Sequence, residues 1–299
     1  MKWMETAVYY STDAAFGEMA RELVCDLFYT LGLGGVITED FPARNDVIRG
    51  CVKGYFYSDP TGVKKLAYLK KKADQLTDQG GVSCEIKCSE VDDEDWANAW
   101  KDHFHITRIG TRLIIKPSWQ SYEPARDDIV IELDPGMAFG TGTHPTTSLC
   151  LEMIEKYVRK GHRVLDVGTG SGILMIAAKK CGAASVWGVD NDPVAVTVAR
   201  ENLLLNQVDE ADFRIISGDL VRDVDGRFNV VVANILSNVI IDLIPALNDI
   251  MTEDAVFISS GIIEEKADAV RAVLETQGFR ILEIVREDAW VCMAADRAG

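Results

Sequence analysis

At 299 residues the chain is longer than one typical domain and short for three, and 47% hydrophobic residues suffice for a core in each half. The net charge of −16, spread as −6 over residues 1–100 and −10 over the rest, disfavours a nucleic-acid substrate and favours a basic partner, although such totals can conceal a local basic patch. No apolar signal core follows Met1, and the most apolar stretch, Val230 to Leu247, carries Asn234, Asn238 and Asp242, so neither secretion nor a membrane span is expected.

The first third reads as strand, helix, strand, strand, helix, strand. Trp3 to Ser11 alternates, and Asp13 can cap a helix through about Leu31, which the Gly32–Gly35 cluster ends. Val36 to Thr38 and Gly50 to Tyr57 are short strands. Pro60 opens a helix through Leu76, and Val82 to Cys88 is a strand. This order predicts a ferredoxin-like unit over 1–90, with no basic stripe of the RNA-enzyme kind evident in 1–100. Seven cysteines, an odd number without a C-x-x-C pair, fit a reducing, cytoplasmic setting. Cys84 and Cys88 share a strand face and read as buried free thiols rather than half a metal site.

Residues 91–128 read as a linker. The acidic run Val91 to Asp95 suits a helix start, and Trp96 and Trp100, at i and i+4, share a face that can pack between domains. His103 and His105 have no further ligand cluster beside them and read as structural, without a metal. Arg112 to Pro117 is a strand, and the polar stretch Ser121 to Asp128 with Pro124 is the hinge candidate.

From Ile129 to Gly299 strands and helices alternate. Strands are expected at 163–168, 185–190, 212–217, 229–234, 255–260, 280–286 and 290–296. Helices fit 171–181, 193–206, 237–250 and 264–277. That spacing means a largely parallel sheet with helices on both faces, while the three residues between the last two strands force an antiparallel hairpin. This α/β pattern is the Rossmann-like seven-stranded architecture of class I methyltransferases.

Val164-Leu165-Asp166-Val167-Gly168-Thr169-Gly170-Ser171-Gly172 is a strand entering a glycine turn and a helix, where backbone can approach a ligand. A dinucleotide fingerprint wants its third glycine one place later, where Ile173 stands. Asp166 would repel a pyrophosphate but suits the ammonium of S-adenosylmethionine. Asp190, at the end of the next strand, has the spacing that takes up ribose hydroxyls. Asp192 and Pro193 read as helix cap and first helical position. Asp219 can accept from the adenine amino group or simply occupy a turn. Asn234 ends an apolar strand in the ligand crevice, where its amide oxygen could orient an amine; capping the next helix is the alternative. Between Leu133 and Thr147, Gly136, Gly140 and Gly142 flank Phe139, which suggests a loop that closes over a cofactor, and Pro145 starts a helix whose first turn exposes Thr146 and Thr147.

Leu133 to Thr147, the Asp166–Gly172 turn and Val232-Ala233-Asn234-Ile235-Leu236 together resemble the PrmA family of ribosomal protein L-11 methyltransferases. Trp96 to Lys101, His103-Phe104-His105, Pro117-Ser118-Trp119 and Trp290 are similar to its linker and last strand, and Thr169 stands where many members have cysteine. The resemblance implies S-adenosylmethionine contacts at Thr147, Gly168, Asp190 and Asn234, a cofactor role for the Phe139 loop, and substrate recognition by the first third. Together with Asp166, Gly170 and Asp219 these are the expected cofactor residues, and Asn234 is the expected catalytic one. The expected product is methylated lysine ε-amine or α-amine on ribosomal protein L-11, made by a monomer without nucleic acid or membrane. Another protein, an RNA or a small amine is the alternative acceptor, and a non-catalytic cofactor-binding module is the rival from another class.

Overall fold

The computed structural model describes residues 2–13, 16–31, 33, 36–44, 47–78, 81–92, 104–134, 142 and 144–297. The Trp96–Trp100 helix face, His103 and the loop residues Gly136, Phe139 and Gly140 lie outside them. The chain divides into two compact units, Met1–His105 and Ile106–Gly299.

The first unit runs β1 (Lys2–Asp13), α1 (Gly17–Tyr29), β2 (Ile37–Arg44), β3 (Val47–Tyr57), α2 (Pro60–Asp78) and β4 (Val82–Asp92). Its antiparallel sheet has the order β2-β3-β1-β4, the ferredoxin-like arrangement. Alternation in β1 sends Val8 and Tyr10 into a core shared with Val24 and Phe28 of α1 and Leu69 of α2. Pro42 is tolerated because β2 is an edge strand, and its register shifts between Phe41 and Arg44. On the opposite edge strand, β4, Cys84 is half-buried and Cys88 exposed, so the expectation of buried thiols there fails for want of a covering neighbour. The expectation of no basic stripe fails too. Helical period gathers Lys64, Lys65, Lys71 and Lys72 around Tyr68 on the outer side of α2, while Leu69 and Ala73 face the core.

The second unit opens with β5 (Thr107–Ile109), β6 (Leu113–Lys116) and β7 (Ile129–Glu132), a three-stranded sheet. Then come α3 (Pro145–Tyr157), β8 (Arg163–Val167), α4 (Ile173–Lys180), β9 (Ser185–Asp190), α5 (Pro193–Leu205), β10 (Phe213–Ser217), β11 (Phe228–Asn234), α6 (Ser237–Leu243), α7 (Leu247–Ile250), β12 (Met251–Ile263), α8 (Glu264–Thr276), β13 (Phe279–Glu287) and β14 (Trp290–Arg297). The main sheet has the order β10-β9-β8-β11-β12-β14-β13, parallel except for β14. One face packs on α3, α4 and the small sheet through Leu113, Ile131, Ile154 and Met175; the other packs on α6 and α8 through Phe257, Leu243 and Val270. This is the class I methyltransferase layering.

The single helix expected over 237–250 is broken. Pro245 has no N–H to donate back along the helix, so the chain tightens into a 3₁₀ turn at Ile244–Ala246 before α7. Among the described residues no helix is long and apolar enough to cross a membrane.

Candidate functional site

The parallel strands β8, β9 and β11 end side by side, which brings Asp166, Asp190 and Asn234 to one edge of the sheet. The order reverses between β9 and β11 around β8, the position where open α/β sheets form a ligand crevice.

The turn after β8 is held by backbone. The N–H groups of Gly168 and Thr169 both donate to the Val189 carbonyl, at 2.8 and 3.0 Å. Gly168 has φ +75°, and a Cβ there would meet Ile235 at 2.4 Å. Gly172, at φ +78°, caps α4 with its Cα against Ala199 of α5, so both positions need glycine for conformation and for space. Asn202 of α5 donates to the Ser171 carbonyl at 2.9 Å and fixes the turn from below.

Asp190 reads the same turn from β9. Its Oδ2 accepts from the Gly170 N–H at 2.9 Å and its Oδ1 from the Asp192 N–H at 3.0 Å. The side chain of Asp192 accepts from the Val194 N–H at 2.8 Å and Pro193 starts α5, the cap and first position that the sequence suggested.

Asp166 is fully buried. Thr169 Oγ1 donates to its Oδ2 at 2.8 Å, while its Oδ1 is buried without a hydrogen-bond partner. Burial first, and then the charge of Asp190, push its carboxyl up to about 7 against the Thr169 hydrogen bond, so its protonated and charged forms are about evenly balanced at neutral pH.

Thr146 and Thr147 are buried, not exposed as the first-turn position suggested, because the start of α3 packs onto the sheet edge. Asn234 Nδ2 donates to Thr147 Oγ1 at 3.2 Å, which leaves the amide oxygen free to face the crevice. The helix after it takes no side-chain cap, so the capping alternative for Asn234 falls away. His144 is the N-cap of α3. Its Nδ1 accepts from the Thr146 N–H at 3.3 Å and its ring stands edge-on to Trp290, centroids 5.2 Å apart. Burial lowers its pKa to about 4, so the ring is neutral and able to accept. A proline at the first helical position just after a histidine was the available signal, overlooked because histidine is an uncommon cap.

Asp219 follows β10 at an exposed position and pairs with Arg222 at 3.1 Å. Phe139 lies outside the described residues, and Gly170 sits buried in the turn. No group of three metal-ligating side chains occurs among the described residues.

A family model described as Ribosomal protein L11 methyltransferase (PrmA) matches residues 14–298. A ribosomal protein L11 methyltransferase of Desulfosudis oleivorans is 47% identical over 300 residues, covering 99% of each chain. One from Pelotomaculum thermopropionicum is 41% identical over 314 residues with the same coverage. A crystal structure titled ribosomal protein L11 methylase, from Lactobacillus delbrueckii subsp. bulgaricus, aligns with TM-score 0.62 at 40% identity, over 66% of this chain and 100% of that one. Matches of this identity, running almost end to end, show that the chain belongs to the ribosomal protein L11 methyltransferase (PrmA) family, among the class I methyltransferases.

Proposed function

We propose that this chain transfers methyl groups from S-adenosylmethionine to lysine ε-amines, an α-amine, or both, of ribosomal protein L11. Family membership supports the reaction class, and the relatives' names supply the acceptor. The observation that carries the site is the meeting of Asp166, Asp190 and the Asn234–Thr147 pair at the ends of adjacent parallel strands.

The cofactor fits the residues present. Asp166 Oδ1 is a buried acceptor without a donor, and a ligand ammonium would supply one and return the carboxyl to its charged form. Each oxygen of Asp190 accepts one backbone N–H and keeps a lone pair, enough for two ribose hydroxyls. Thr147, Gly168 and Gly170 would line the same cleft, Phe139 is proposed to cover it, and Asp219 would exchange Arg222 for the adenine amino group. When bound, the sulfonium supplies an electrophilic methyl.

The protein's part is orientation. Thr147 fixes the amide of Asn234 so that its oxygen accepts an N–H of the incoming amine and aims the nitrogen lone pair along the line of displacement. A lysine amine, with an ordinary pKa of about 10.4, must enter neutral. The half-buried, uncharged ring of His144 and the buried ring of Trp290 border this end of α3 and keep water from it. We place the enzyme in the cytoplasm and read it as a monomer.

The test is mass spectrometry of intact, purified ribosomal protein L11 after incubation with the full chain and S-adenosylmethionine. Stepwise gains of one methylene mass are expected. An unchanged mass, with cofactor binding verified by calorimetry, would overturn the acceptor.

A further inference from the structure

The surroundings of Asp166, near the end of β8, contain almost nothing that favours a charge. From β9, Gly188 lies opposite it in register without a side chain, and the Asp190 carboxylate adds negative charge. From β11 its register partner is Val232. From α3 comes the fully buried Cys150 thiol, which burial first, and then its hydrogen bond with Cys292, keep uncharged. Among the described residues no cation pairs with Asp166, and the one donor to it is the Thr169 hydroxyl, 2.8 Å from Oδ2. That hydroxyl is aimed by its setting. The Thr169 N–H is spent on the Val189 carbonyl at 3.0 Å, and its own carbonyl accepts from the Gly172 N–H at 2.8 Å. The side chain is buried against Gly188, where an added Cβ would stand 3.1 Å from both Cβ and Oγ1 of Thr169. A β-branched side chain so enclosed has little rotamer freedom left.

We propose that Thr169 is a positioning residue for cofactor uptake: its hydroxyl supports one oxygen of Asp166, so that the ammonium of S-adenosylmethionine completes the carboxylate and expels its proton. The inference rests on the reading above that Asp166 meets that ammonium. A buried carboxylate needs donors at both oxygens, and Thr169 supplies only one. Burial, and then the Asp190 charge, raise the carboxyl to about 7 against that single hydrogen bond. When the ammonium arrives at Oδ1, the O–H bond of the acid breaks and the proton leaves to solvent, while the ammonium keeps its three protons. The sign follows from linkage. Below the pH at which Asp166 titrates, the ligand must displace a proton, so affinity falls as pH falls; above it the carboxylate already stands and affinity levels off. Thr169 sets where that change falls. Cysteine, the residue of many family members there, is a weaker donor and would place the change at higher pH. Threonine thus lets this chain hold its cofactor in a more acidic medium.

The experiment is calorimetry of the full chain with S-adenosylhomocysteine between about pH 5.5 and 7.5, in buffers of different ionisation enthalpy, which count the protons released. The second probe is 5′-methylthioadenosine, which has the adenosine part but no ammonium. For the wild type, S-adenosylhomocysteine affinity should rise about tenfold or more across this range, with about half a proton released at neutral pH. Affinity for 5′-methylthioadenosine should stay flat. Thr169→Val, close in shape, should move the profile up by about one pH unit and weaken S-adenosylhomocysteine binding about tenfold at the acid end. Its unchanged affinity for 5′-methylthioadenosine would show that the turn is intact. Thr169→Ser should restore the wild-type profile, and Thr169→Cys should fall between. A residue that merely braced the turn would weaken both ligands alike at every pH. The proposal is overturned if S-adenosylhomocysteine binds with a flat profile and no proton release. It is also overturned if Thr169→Val leaves the profile in place or loses both ligands equally. Failure of both ligands to bind the wild type would overturn the cofactor reading as well, which tight binding with a flat profile would not.

Discussion

Asp190 and Asn234 stand at strand ends on either side of β8, but their surroundings give them different work. Asp190 spends one lone pair of each oxygen on the glycine turn, so its loss removes cofactor hydrogen bonds. Asp190→Ala should weaken S-adenosylhomocysteine binding by on the order of 2–3 kcal/mol, measured by calorimetry. Asn234→Ala should leave that affinity largely intact and lower kcat by roughly 10²-fold, measured as turnover on ribosomal protein L11. An Asn234 variant with normal kcat would show that another group aims the nitrogen. Two titrating groups, Asp166 buried and His144 half-buried, add a pH signature. His144, lowered from 6.5 to about 4, refuses a proton that the unfolded chain accepts, so its contribution is lost as pH falls through that window. Asp166, raised from 3.8 to about 7, keeps a proton that the unfolded chain releases, so its contribution is lost as pH rises. Each effect amounts to about 2 kcal/mol between pH 5 and pH 7, and the signs are opposite. Melting curves at the two pH values should therefore shift in favour of pH 5 in His144→Asn and in favour of pH 7 in Asp166→Asn. Parallel shifts would refute the assignment. At this scale the sequence exposed Asp166, Asp190 and Asn234, because strand ends beside glycine turns mark themselves. It concealed what the threonines do, since burial of Thr146 and Thr147 depends on packing between α3 and strands far along the chain.

Among the elements, strict alternation made strands and helices of the second unit legible to within a few residues, since a parallel sheet covered on both faces admits only apolar strands and amphipathic helices. Helix ends were less legible. Pro245 breaks the helix expected over 237–250, and β12 runs past Ser260 through a bulge that Gly261 permits. The link between the small sheet and α5 left no local mark at all. Asn206 Oδ1 accepts from the Glu132 N–H at 2.9 Å, while its Nδ2 donates to the Glu132 carbonyl at 2.6 Å and to the Asn202 carbonyl at 2.9 Å. One amide thus replaces the next strand for the last residue of β7. Asn206→Ala would leave two backbone groups of Glu132 unpaired in a half-buried place and should cost about 1–3 kcal/mol, read from chemical denaturation. A midpoint unchanged from wild type would mean that water replaces the amide without loss.

For the whole molecule, the two units divide the chemistry. Asp166, Asp190, Asn234 and Thr147 all belong to Ile106–Gly299, and that unit has cores on both faces of its sheet. A truncation beginning at Ile106 retains β5 and β6, whose Leu113 and Ile115 are fully buried, and should bind S-adenosylhomocysteine like the full chain. It should methylate ribosomal protein L11 with a much lower kcat/KM, because the first unit is proposed to present the acceptor. Equal kcat/KM for both forms would remove recognition from the first unit. The sheet order carries a consequence for biosynthesis. β14 is made after β13 but sits between β13 and β12, with Ile258 opposite Ala294 on one side and Ile281 opposite Ala295 on the other. Chain growth is vectorial, so β13 leaves the ribosome with no strand to join and the sheet waits with an interior slot open. Until β14 is inserted, the nascent chain displays two unpaired strand edges of apolar sequence at once, the interval in which it is most exposed to misassociation and most in need of a chaperone.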